Sequence, residues 1–182
     1  MTKRELNDLR DFIEQIFNDS VAGKLEQAAI PIGVLTETGK SFLENLSGLD
    51  FKEEVTFCLH PDDLVHIYKN HYGLNENDQS NLISLVDEDI RKIADILYHP
   101  DAVAYLGEDK KGKKFIFFLE SEVGCFNLID VYAHRRGKLT VKTYYHTKKG
   151  VSQSAMNFLA QTSETYGATL SVANIPILLK SK

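Results

Sequence analysis

Three of the six histidines of the chain lie close together, in the segment from Cys58 to Gly73, which reads CLHPDDLVHIYKNHYG. A neutral imidazole accepts a proton at around pH 7 and an imidazolium donates one, so histidine is well suited to acid–base catalysis. Histidine is also a common metal ligand. The spacing of His60, His66 and His71 helps to decide between these two chemistries.

The spacing does not favour a metal site. Two histidine ligands on one helix are expected about three or four residues apart. Here the gaps are six and five residues, and no pair of cysteines lies nearby. The chain also has no glycine-rich phosphate-binding loop of the G-x-G-x-x-G or Walker type. We therefore predict that the protein uses neither a metal nor a cofactor.

The same segment is compatible with acid–base chemistry. If it is a helix, Lys69 lies on the face of His66, where its ammonium group could hold an anion. His71 falls in the apolar sector with Leu64 and Tyr68, so the two histidines point in different directions. A second interpretation stays open for the helix taken alone. In it, His66 is a solvated surface residue and His71 a core residue whose hydrogen bonds are satisfied.

The segment KLTVKTYYHT, residues 138–147, combines cations, hydroxyl groups and aromatic rings. Strict alternation along a strand would place Leu139, Val141, Thr143 and Tyr145 on one face, and Thr140, Lys142, Tyr144 and His146 on the other. Arg135, Arg136 and Lys138 stand at or before its start, and no acidic residue occurs between Val131 and Ser163. Such a set can clamp a phosphate and stack a base. Equally, threonine and tyrosine favour strands, and lysine solvates strand edges.

The charge is unevenly distributed along the chain. The net charge is −5, but residues 131–182 contain eight Lys or Arg and one acid, which gives +7 there and −12 in residues 1–130. The basic part could bind a polyanion, or the two parts could neutralise each other in the fold. No apolar run is long enough for a membrane span, and no signal peptide is evident, so we predict a protein of the cytoplasm, either of the cell that makes it or of a target cell into which it is delivered. Cys58 and Cys125 are predicted to be buried free thiols.

Helical periodicity dominates the first part of the chain and strand periodicity the second. Amphipathic helices are predicted for residues 3–19, from Thr36 or Thr38 to Leu46, for 62–72, and before Pro100. Four strands joined by short turns follow, which predicts helices packed on an antiparallel four-stranded meander in an α+β fold. The predicted parts are an N-terminal helix (1–27), a domain (28–150) and a C-terminal helix and tail packing on it (151–182).

The order of these segments resembles the phage- and toxin-associated nucleases of the barnase–EndoU–colicin–RelE-like superfamily. The matching motifs are His66-Ile67 with His71, then His99-Pro100-Asp101 before AVAYL, and Val141 to Tyr145 as a V-x-T-x-Y signature. The resemblance covers roughly Ile30 to Gly150. Asn70 departs from it, because the family helix often has a basic residue directly before its second histidine.

The resemblance implies a compact α+β domain that cleaves RNA without a metal, and members that are toxin modules or phage-encoded effectors. We therefore predict a metal-independent ribonuclease, with tRNA as one candidate substrate and an immunity or antitoxin protein as a candidate partner. The predicted catalytic residues are His66, His71, Thr143 and Tyr145, with either His66 or His71 as the residue that transfers the proton. The predicted substrate-binding residues are Lys69, Arg135, Lys142 and His146. The alternative is a noncatalytic protein- or RNA-binding module of the same fold.

Overall fold

The computed structural model describes residues 2–73, 82–121, 125–134 and 136–147, together with the backbone of residues 170–171 and 177–178. These residues form four helices, which are α1 (Lys3–Val21), α2 (Glu37–Ser47), α3 (Pro61–His71) and α4 (Asp87–Tyr98). They also form nine strands, which are β1 (Ile30–Leu35), β2 (Thr56–Leu59), β3 (Leu82–Ile83), β4 (Ala102–Asp109), β5 (Gly112–Glu120), β6 (Phe126–His134), β7 (Lys138–Thr147), β8 (Leu170–Ser171) and β9 (Ile177–Leu178). The predicted α+β class is confirmed.

The strands belong to one sheet in the order β8-β4-β5-β6-β7-β2-β1-β9, with β3 pairing β7 beside this path. Strands β4 to β7 are consecutive antiparallel neighbours, so the four predicted strands do form a meander. The prediction that these four strands are the whole sheet is wrong. Strand β2 pairs with β7 in parallel, because the chain enters both strands from the same side. Strand β1 pairs antiparallel with β2 and extends the sheet further.

The larger hydrophobic core lies between the four helices and one face of the sheet. It contains, among others, Leu9, Ile13, Leu43, Leu64, Ile67, Ile90, Ile93, Phe115, Phe117, Ile129, Val141 and Tyr144. A smaller apolar cluster lies on the opposite face and consists of Ala102, Ala104, Ile116, Phe118, Phe126 and Leu128. The sheet is therefore buried on both faces over much of its area, which explains the nearly continuous apolar sequence of β5 and β6.

Helix α1 belongs to the same core as the residues that follow it. Thr2 and Glu5 form a capping box at its start, which satisfies backbone N–H groups that the first turn leaves unpaired. Its buried side packs on α4, and at the rim Arg10 pairs with Asp95 while Arg91 of α4 pairs with Glu14. The division at residue 27 stays a prediction, and most of the predicted C-terminal helix and tail lies outside the described residues.

Strand β7 contains a β-bulge that changes the predicted faces. Asp130 pairs with Thr143 while the next residue, Val131, pairs with Val141, so Lys142 is an extra residue in β7. Tyr144 consequently joins Val141 in the helix-covered core, and Tyr145 packs against the cluster on the opposite face. The predicted strict alternation is therefore wrong, because an inserted residue reverses the side-chain direction of everything after it.

Within the described residues, no helix is both long and apolar enough to cross a membrane. The two cysteines, Cys58 and Cys125, are buried and unbonded to each other, as predicted.

Candidate active site

Helix α3 lies at the edge of the sheet, beside the middle of β7. Strand β2 pairs with the first residues of β7, from Lys138 to Thr140, and β3 pairs with its end at His146 and Thr147. Between these two pairings α3 packs against β7. The helix therefore occupies the place where a neighbouring strand would otherwise continue, and its side chains reach the residues at and after the bulge.

The sequence of α3 explains its orientation. Pro61 stands in its first turn, where a missing N–H costs nothing, and Asp62 and Asp63 complement the positive end of the helix. The residues Leu64, Ile67 and His71 face the protein interior. His66 is exposed, as a solvated face requires. Tyr68, predicted on the apolar face, is 43% exposed, because Ile67 takes the inward position one helical step earlier.

His71 is held by residues of β7 that follow the bulge. Its Nε2 lies 3.2 Å from the Thr143 hydroxyl oxygen. The ring of Tyr145 meets the imidazole edge to face, with centroids 5.3 Å apart. Burial and the nearby His66 lower the pKa of His71 below its ordinary value. His71 is therefore neutral around pH 7 and can accept a proton.

A buried carboxylate fixes Tyr145 on the other side. The Tyr145 hydroxyl donates to Oδ2 of Asp130 over 2.7 Å, and the ammonium of Lys114 lies 2.8 Å from the same oxygen. Asp130 is 5% exposed. Burial and the charge of Asp130 raise the pKa of Tyr145, so its phenol stays protonated. Residues of three adjacent strands and α3 thus form one continuous polar set on this face.

The bulge residue Lys142 adds a cation to this set. Its Nζ lies 2.8 Å from Oδ2 of Asp63 in the first turn of α3, and the Lys142 side chain is 32% exposed. A lysine ammonium has three N–H donors, so Lys142 can keep Asp63 and also bind a phosphate oxygen. The ion pair connects α3 to β7 a second time, at the opposite end of the helix from His71.

Two buried polar atoms of the site have no hydrogen-bond partner among the described residues: Nδ1 of His71 and Oδ1 of Asp130. Leaving such atoms unpaired costs about 1–3 kcal/mol each, and more for a charged group. Both belong to residues already fixed by other contacts. The protein therefore has this cost at two residues that both contact Tyr145.

The remaining predicted site residues lie elsewhere or cannot be placed. His146 points to the helix-covered face and lines a cavity of about 420 Å³ with Lys92, Asp95 and Asn127. Lys69 is exposed on α3. Arg135 lies outside the described residues. The structure thus brings His71, Thr143 and Tyr145 together, and the ring centroid of His66 lies 6.5 Å from that of His71. Lys142 directly precedes Thr143 in β7, but its ammonium lies beside Asp63 at the other end of α3. His146 is separated from Thr143 and Tyr145 by the thickness of the sheet.

Four residues of the site were missed from the sequence: Asp63, Lys114, Asp130 and Asn70, whose amide nitrogen lies 3.1 Å from Nδ1 of His66. Asp130 carried a usable signal, because it is the one acid inside the apolar run FNLIDVYA, and carboxylates are almost never fully buried unless paired. The other three are ordinary surface residue types. No three His, Cys, Asp or Glu side chains in the described part of the chain form a set that could hold a metal ion.

We expect the protein to lose stability as the pH falls below about 6.5. Burial lowers the pKa of both His71 and His146. The unfolded chain therefore binds more protons than the folded one between the folded pKa values and the ordinary value of 6.5, and the free energy of unfolding must decrease with falling pH in that window. Near His146, the charge of Asp89 opposes the shift and that of Lys92 supports it.

Urea unfolding of the wild type and of the variant His71→Asn/His146→Gln, followed between about pH 5 and pH 8, measures this effect above the range where carboxylates titrate. The variant is expected to show a flatter dependence. A wild-type free energy of unfolding that stays constant or increases on acidification would show that these histidines are not buried in their neutral form.

Comparison with known families gives a match to most of the described chain. The family model described as phage-Barnase-EndoU-ColicinE5/D-RelE like nuclease 3 matches residues 36–154, about two thirds of the chain. This range contains α2 to α4, the meander and every site residue described above. No curated protein and no solved structure matches the chain.

Proposed function

Because the chain belongs to the phage-Barnase-EndoU-ColicinE5/D-RelE like nuclease 3 family, we propose that it is a metal-independent ribonuclease whose active site lies between α3 and β7. The observation that carries this proposal is the 3.2 Å contact between Nε2 of His71 and the Thr143 hydroxyl. This contact joins the buried, neutral imidazole of His71 to the face of β7 that also carries the phenol of Tyr145. Lys142 is the residue directly before Thr143 in the same strand. The family match itself extends to nuclease function in general.

RNA contains its own nucleophile in the 2′-hydroxyl group, so the protein needs to move protons and stabilise charge. In the proposed reaction His71 accepts the 2′-hydroxyl proton, the bond between O2′ and phosphorus forms, and the bond between phosphorus and O5′ breaks. The resulting imidazolium is the acid that can protonate the departing O5′. The products are a 2′,3′-cyclic phosphate and a 5′-hydroxyl.

The other residues bind and orient the phosphodiester. Lys142 stabilises the negative charge that grows on the phosphorane, and Thr143 and Tyr145 supply hydroxyl groups next to His71. Lys69 and Arg135 are proposed to bind neighbouring phosphates. His146 is left without a role in this proposal, since its side chain lies on the other face of β7.

The test is incubation of the purified protein with total tRNA in the presence of EDTA, followed by analysis of the new ends. We expect cleavage that survives EDTA and leaves 2′,3′-cyclic phosphates, and no cleavage of DNA of the same length, which has no 2′-hydroxyl. Cleavage that requires a divalent ion would refute the metal-independent mechanism while leaving a nuclease. A folded protein that cleaves no RNA would favour the noncatalytic binding module.

The biological setting is proposed from the same family membership. A nuclease of this kind would act as a toxin, an effector or a phage-encoded protein in the cytoplasm of a cell, where RNA is its substrate. An immunity or antitoxin protein would then be its partner. Copurification of a bound inhibitor on expression with neighbouring genes, and growth arrest without it, would test this setting.

A further inference from the structure

Asn70 makes two contacts with His66, four residues before it on the exposed side of α3. Its amide nitrogen lies 2.8 Å from the backbone carbonyl oxygen of His66 and 3.1 Å from Nδ1 of the His66 ring. A carbonyl oxygen only accepts hydrogen bonds, so the amide atom that faces it must be the NH2 group rather than the amide oxygen. The second N–H of this group is then available to Nδ1, which accepts it with its lone pair.

This contact decides which nitrogen of neutral His66 carries the proton. A neutral imidazole has one N–H and one bare nitrogen, and Asn70 occupies the bare position at Nδ1. The proton is therefore on Nε2. In this tautomer Nε2 has no lone pair with which to accept a proton, but it can donate a hydrogen bond.

We propose that Asn70 is a positioning residue that holds His66 in the Nε2–H form, so that His66 donates a neutral hydrogen bond to a phosphate oxygen of the substrate and His71 alone accepts the proton. This inference rests on the proposed ribonuclease function and gives the two histidines different roles: His71 accepts the proton, and His66 donates a hydrogen bond to the phosphate. The two rings lie 6.5 Å apart, so both side chains can reach one phosphodiester group.

The direct test is the tautomer itself, read from the ¹⁵N resonances of the His66 ring in the whole protein at a pH where the ring is neutral. In the wild type we expect Nδ1 to resonate as a bare nitrogen and Nε2 as a protonated one. In Asn70→Asp, a carboxylate that can only accept faces Nδ1, so the proton is expected to move to Nδ1 and leave Nε2 bare. A merely structural role of Asn70 would not reverse these two signals.

The functional test is the binding of a 2′-O-methylated RNA dodecamer, which has phosphates but cannot be cleaved. Losing one hydrogen bond to a charged phosphate is expected to weaken binding about tenfold or more in Asn70→Asp. Asn70→Ala adds no charge and is expected to weaken binding in the same direction by a smaller factor. The matched control is Asn45→Asp, which adds the same charge to the last turn of α2, where Asn45 is exposed.

These measurements separate the inference from the function on which it rests. A wild-type His66 protonated on Nδ1, or equal binding by the wild type and both Asn70 variants, would overturn the inference even if RNA is cleaved. Conversely, if the wild type cleaves no RNA, the ribonuclease proposal fails. The role of Asn70 in phosphate binding would then be supported by the reversed tautomer together with the weakened dodecamer binding.

Discussion

Replacement of His71 by alanine is expected to reduce the rate of RNA cleavage by about 10²–10⁴-fold, which is the usual contribution of a positioned acid or base. His71 is buried, has a lowered pKa and contacts the Thr143 hydroxyl of β7. The loss should fall on the maximal rate more than on substrate binding, because the phosphate-binding residues remain. Single-turnover cleavage at saturating protein measures the maximal rate directly.

The control for this experiment has to separate chemistry from folding. His71 contributes to packing, so the unfolding transition of His71→Ala must be measured beside its activity, together with His71→Asn, which keeps a polar group next to Thr143. His99→Ala changes an exposed histidine at the end of α4 and is expected to retain full activity. If the folded His71→Ala variant cleaves RNA at a rate within about threefold of the wild-type rate, His71 is not the base, because loss of the base is expected to cost about 10²–10⁴-fold.

Residue patterns predicted the elements of this fold well because each element is locally determined. Helix α1 has a capping box and an apolar stripe, and α4 has acids in its first turn and Pro100 after its end. The meander follows from short turns between segments rich in β-branched and aromatic residues. The family resemblance is confirmed by the match to residues 36–154, although each motif that indicated it is short.

Two features of the site could not be derived from periodicity. The bulge at Lys142 depends on how β7 pairs with β6, and a single strand sequence contains no information about an extra residue relative to its neighbour. The parallel pairing of β2 with β7 likewise joins segments far apart in the chain, so the periodicity of either strand does not reveal it. Together they determine which β7 side chains meet His71. The sequence therefore predicted correctly that Thr143 and Tyr145 share a face of β7, but it predicted wrongly that Val141 shares that face with them.

The connection between β6 and β7 also explains how α3 reaches its position. Gly137 has φ +73° in the turn between these strands, and its carbonyl oxygen accepts a hydrogen bond from the backbone N–H of Thr56 at the start of β2. A Cβ atom at position 137 would overlap the backbone carbonyl oxygen of Glu54. The close approach of these two backbones begins the parallel pairing of β2 with β7, and β2 leads directly into α3.

Gly137→Ala is therefore expected to destabilise the protein by about 2–4 kcal/mol, which combines the cost of a left-handed backbone for alanine with displacement of β2. The matched control is Gly48→Ala at the end of α2, where φ is +66° and nothing lies within 4 Å of the added Cβ. It should cost about 1–2 kcal/mol, the backbone term alone. Urea unfolding of the two variants measures the difference. If both variants lose the same free energy of unfolding, β2 adjusts to the added Cβ without strain. If Gly137→Ala loses more, and the folded variant also cleaves RNA more slowly, this turn contributes to the placement of His71.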